Sequence, residues 1–101
     1  MQTHRHLFMV IRKYGPPYDA ERPLEEQLDW EGHRQFMNTS EARGLVRLAG
    51  PLAETDEVLL VLRAENADEI DRHLAGDPWT QSGILSTSRI LRWNLRLGQI
   101  G

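Results

Sequence analysis

Two runs of five residues, Leu7-Phe8-Met9-Val10-Ile11 and Val58-Leu59-Leu60-Val61-Leu62, are apolar at every position. Their short length and their β-branched and aromatic members read as strands. A strand in a sheet with one wet face alternates apolar with polar residues. These two do not alternate, so each needs cover on both faces. That need limits the folds open to the chain more than any other feature.

The remaining segments supply only part of the cover. Gly15-Pro16-Pro17 closes the first strand, and residues 45–49 form a second strand ended by Gly50-Pro51. A polar turn at residues 54–57 joins that strand to the 58–62 strand as an antiparallel hairpin. Residues 85–97 alternate apolar and polar, which predicts a long fourth strand. Residues 28–43 have helical spacing and stop at Gly44. Pro23, with Glu25 and Glu26, suits a first helical turn, and Gly32 weakens the helix locally. Asn66 with Glu69 three residues on is a capping-box pattern for a second helix, with Ala67, Ile70 and Leu74 on one face and Gly76 as its stop. The order βαββαβ is the α+β, ferredoxin-like arrangement, a four-stranded antiparallel sheet with two helices on one face. Two helices cannot cover both faces, so a second copy is expected on the other, as a homodimer; assembly beyond the dimer stays open.

Composition excludes several classes of function. The 101 residues suit one domain spanning 1–101. Net charge is −3 and the 12 Lys and Arg are scattered, so no nucleic-acid partner is expected. There are no cysteines, which removes disulfides and thiolate chemistry and fits a reducing cytoplasm. The apolar run at 7–11 is too short for a signal peptide or a membrane span, so no membrane partner is expected either.

Candidate chemistry centres on His33. Spaced at about 100° per residue, Leu28, Trp30, Phe36 and Met37 share one arc of the first helix, and His33 falls inside it. Glu31, Arg34, Gln35, Asn38 and Glu41 share the other. A buried imidazole needs a partner, and Asp77-Pro78-Trp79 can supply one. A His33–Asp77 pair suits general acid–base work, because imidazole takes and returns a proton near neutral pH. A structural reading stands beside it: Asp before Pro is a helix start, and a lone inward histidine is often a satisfied core residue. Gly50 and Pro51 should shape a cleft wall, while Trp79 and Trp30 offer an aromatic one. Trp93 belongs to the core or to an interface. Arg12, Tyr14 and Arg89 are candidates to orient an anionic or hydroxylated small-molecule ligand. His4 and His6 lack a third ligand, so no metal is expected, and His73 sits at the margin of the second helix's apolar face. Phosphate-loop and nucleophile-elbow patterns are absent, so no cofactor is expected.

In order and spacing, these residues resemble the YciI-like family, the YCII-related domain. The features that carry the likeness are His33, 11 residues before Gly44, then Ala49-Gly50-Pro51, then Asp77-Pro78-Trp79 with Gly83. The resemblance implies a ferredoxin-like chain that pairs into a dimeric α/β barrel, with His33 and Asp77 as the active-site pair. Related barrels include isomerases, dehalogenating lyases and cofactor-free oxygenases. Some relatives carry an acidic residue two positions before the helix-ending glycine, where this chain has Ala42. The expected function is cofactor-independent acid–base catalysis, of lyase or isomerase type, on a small cyclic or aromatic metabolite. The alternative is a non-catalytic small-molecule-binding or accessory protein.

Overall fold

The computed structural model describes residues 5–100. Strand β1 (His6–Tyr14) leads through a short 3-10 turn (Leu24–Glu26) to helix α1 (Trp30–Ala42). Strands β2 (Val46–Pro51) and β3 (Glu57–Ala64) follow, then α2 (Ala67–Leu74), a short α3 (Pro78–Ser82) and β4 (Leu85–Arg92). The sheet order is β2-β3-β1-β4, with every neighbour antiparallel, as the ferredoxin-like pattern requires.

Alternation along β1 sorts its residues between two environments. Phe8 and Val10 pack under the helices with Val58, Leu60 and Leu62 of β3 and with Ile70 and Leu74 of α2. Each fully buried aliphatic side chain there contributes about 1.5–3 kcal/mol. Met9 pairs with Val61 and with Leu91, and Leu48 also pairs with Val61, so an apolar row crosses all four strands on the opposite face. In that row Leu48 is 57% exposed and Leu91 37%.

The helix ends follow their capping residues. Gly44, at φ 83°, ends α1 with Gly44 N–H donating to Glu41 and Leu45 N–H to Ser40, a Schellman closure. The Asn66 side chain accepts from Glu69 N–H and opens α2 as expected, while Glu69 reaches back to the Glu65 N–H rather than to Asn66.

Four expectations change. The first helix starts at Trp30, because Asp29 adopts a left-handed φ of 59° and the Leu28 carbonyl accepts from the Trp79 indole at 2.7 Å. Leu28 is therefore outside the helix and 69% exposed rather than on its buried arc. The fourth strand ends at Arg92, not residue 97: its ladder with β1 closes at the Phe8–Arg92 pair, and Trp93 N–H donates to the Leu7 carbonyl just beyond it. Trp93 is 36% exposed and Leu97 91%. Gly50 and Pro51 do not stop β2 but are its last two positions, paired with Leu59 and Val58. Finally, α3 is an additional helix, made by the Asp-Pro start that also carries the site.

Candidate active site

Asp77 caps α3: its Oδ1 accepts from Trp79 N–H at 3.0 Å, and Pro78 occupies the first turn without a donor to satisfy. The capping carboxylate is completely buried and is also the hub of the site. His33 Nδ1 lies 3.0 Å from both carboxylate oxygens. Arg12 Nη1 donates to Oδ2 at 3.3 Å, and Arg12 Nη2 donates to Thr80 Oγ1 at 2.6 Å. One residue therefore serves as helix cap, imidazole partner and counter-ion.

Packing fixes the imidazole. The His33 ring stacks on Trp79 at 3.9 Å, within 5° of parallel, and Trp30 packs obliquely on Trp79 at 5.8 Å. Helix α1 can come this close because position 32 is glycine: a β-carbon there would lie 3.1 Å from Pro78 Cγ. With Asp77 as carboxylate, Nδ1 carries the hydrogen and donates, so in the neutral ring the lone pair falls on Nε2. Nε2 has no protein partner among the described residues, and His33 forms part of the wall of a cavity of about 460 Å³. That size suits a small cyclic molecule.

The other expected residues divide clearly. Arg12, Tyr14, Gly50, Pro51 and Trp79 line the same cavity as His33, while Asp77 sits behind the imidazole and does not line it. Arg12 is 1% exposed, and its buried Nε has no protein partner among the described residues. Burial pulls its guanidinium below its ordinary value, and Asp77 pulls the other way. Tyr14 stacks on Tyr18 at 3.8 Å, and burial first, then Tyr18, raise its phenol. Tyr14 is thus a hydroxyl donor at neutral pH. Arg89 pairs with Ile11 and projects from the opposite face, away from the cavity. His4 lies outside the described residues.

One polar pair was not foreseen. His73 Nε2 donates to Ser40 Oγ at 2.7 Å, and Ser40 Oγ donates to the Phe36 carbonyl at 2.8 Å, clasping α2 to α1. Desolvation, then Arg43, lower the His73 imidazole, while Glu69 and Asp77 oppose them. The signal was present in the sequence as a serine at helical spacing from Phe36. Its partner is 33 residues away and follows only from the fold.

The pattern of the YCII-related domain family matches residues 7–94. No curated protein matches the chain. Among solved structures, the chain is similar to 5-chloro-2-hydroxyhydroquinone dehydrochlorinase (TftG) from Burkholderia phenoliruptrix AC1100, in complex with 2,5-dihydroxybenzoquinone. The TM-score is 0.62 and the identity 23%, over 87% of this chain and 93% of that one. At that identity the likeness concerns the fold.

Proposed function

The chain belongs to the YCII-related domain family, and from that premise we propose that its cavity is the active site of a cofactor-independent acid–base enzyme of lyase or isomerase type. The observation that carries the reading is one imidazole with its two nitrogens divided. Nδ1 is committed to Asp77, while Nε2 has no protein partner among the described residues and His33 lines the cavity. Nε2 takes a proton from a hydroxyl or acidic carbon of a small cyclic substrate. It returns that proton elsewhere on the ring in an isomerisation, or a leaving group departs with the bonding electrons in an elimination. Neither course needs an external oxidant or reductant. Asp77 orients the ring and stabilises the imidazolium, as the carboxylate does in hydrolase triads. Trp79, Gly50 and Pro51 wall the substrate, and Tyr14 donates to one of its oxygens.

The proposed substrates are hydroxylated rings, the class to which the ligand of the dehydrochlorinase belongs. The working unit is a homodimer in which the apolar row Leu48-Val61-Met9-Leu91 of one copy packs on that of the other, in the cytoplasm. Residues 5–100 contain no helix long and apolar enough to cross a membrane.

A second reading has one observation in its favour. Asp77 is fully satisfied by Trp79, His33 and Arg12, so the network also works as a structural clasp in a small-molecule-binding or accessory protein. NMR of the His33 ring during titration with 2,5-dihydroxybenzoquinone and related hydroxyquinones separates the two. Ligand-dependent shifts at Nε2, with turnover that disappears in His33→Gln, support the enzyme. Binding that leaves Nε2 unmoved and no substrate turned over supports the clasp.

A further inference from the structure

A carboxylate with no exposed surface, facing a single imidazole, would hold that imidazole as a cation, because attraction between opposite charges is strong away from water. A permanently protonated His33 could give a proton but not take one. The Asp77 carboxylate, however, does not face His33 alone. Arg12, 1% exposed on the central strand β1, reaches it at 3.3 Å and is anchored on its far side by Thr80 at 2.6 Å. Guanidinium remains charged at any working pH.

We propose that Arg12 is a positioning residue of this site, whose buried charge balances Asp77 and so leaves His33 free to exchange its proton. The inference rests on His33 being the proton carrier. Stability alone gives little reason for the arrangement. Well-packed apolar residues of similar volume commonly match or exceed a buried ion pair in stability. Here the pair is kept although the Arg12 Nε has no protein partner among the described residues. Two of the guanidinium's N–H groups are committed to Asp77 and Thr80. Through the Asp77 carboxylate its charge acts on the imidazole.

Other charged or titratable groups share the surroundings of the imidazole. Tyr14 faces it from β1, Glu41 from α1 itself and Arg47 from β2, all lining the same cavity. His73 of α2 feels the Asp77 charge. Substituting Arg12 alone leaves all of these in place.

The test is a pH titration of the His33 ring by proton–nitrogen NMR in the ligand-free protein. In Arg12→Gln, Asp77 loses its fixed cation, and the proton affinity of His33 rises about tenfold, roughly one pH unit. In Arg12→Lys the charge is retained and the change stays under about threefold. An unmoved His33 midpoint in folded Arg12→Gln overturns the proposal. Should that variant fail to fold, the wild-type Arg12 Nε–H signal decides. It should shift with the midpoint of His33, and a signal that stays constant through that titration overturns the proposal too. Neither readout uses a substrate, so failure here is distinct from turnover that proves independent of His33.

Discussion

Gly32 of α1 and Pro78 of α3 approach so closely that a β-carbon at position 32 would stand 3.1 Å from the proline Cγ. The next residue along each chain direction belongs to the imidazole–carboxylate pair: His33 follows Gly32, and Asp77 precedes Pro78. The glycine therefore sets the distance at which imidazole and carboxylate meet. In Gly32→Ala, the gain in helix propensity of about 1 kcal/mol offsets the tight contact, and urea unfolding should shift by less than that amount. Chemical shifts of the His33 ring should nevertheless change as the helices part by a few tenths of an ångström. A ring spectrum identical to wild type would show that the glycine does not govern the pair.

Asp77→Asn tests the hub. Asparagine caps a helix about as well as aspartate, so the cap survives while the charge is lost. Arg12 is then buried without a counter-ion, which costs about 3–5 kcal/mol. Chemical denaturation should record a loss of that order, well beyond that of an ordinary cap substitution. A loss below about 1 kcal/mol would mean that the carboxylate acts only as a cap.

His73 makes stability depend on pH with a definite sign. Its folded-state affinity for a proton is lowered by burial and by Arg43, so the unfolded chain binds the proton more readily. The contribution of His73 is therefore present above the unfolded histidine value, about 6.5. It is lost as pH falls from there through the lower folded value. Melting temperatures of wild type and His73→Gln, measured from pH 8 down to pH 5, should show a steeper fall for wild type below about pH 6.5. Parallel curves would contradict the assignment.

The apolar row on the uncovered face predicts the assembly. Leu48 and Leu91 are its exposed ends, at 57% and 37%. Wild type should sediment as a dimer, and Leu48→Asp with Leu91→Asp should sediment as a folded monomer, because burying unpaired carboxylates is prohibitive. A double variant that remains dimeric would place the contact elsewhere.

Much of this architecture was legible because it is local. Consecutive apolar residues in β1 and β3, Gly44 and the Asn66 cap each specify a structure within a few positions. The failures came where distant residues decide. Leu28 has helical spacing with Phe36, but the Trp79 indole takes its carbonyl from 51 positions away. Residues 94–97 alternate like a strand, but the ladder between β1 and β4 closes at Phe8–Arg92. In the site, His33 and Asp77 stood out by residue type. The buried role of Arg12 was available only through parity: it shares its face of β1 with Phe8 and Val10, the core side. A charged residue at a core-facing strand position signals a buried partner, and spacing alone does not say which one. Gly32 read as a weakness in its helix, because the proline it makes room for lies on another element.

The central claim is that the imidazole at position 33 moves the proton. The direct measurement is turnover, by wild type and by folded His33→Gln, of a hydroxylated cyclic compound identified in a substrate screen. General acid–base catalysis contributes about 10²–10⁴-fold, so the account predicts a loss of at least about 100-fold in kcat with binding largely retained. Turnover in the variant equal to that of wild type would contradict it.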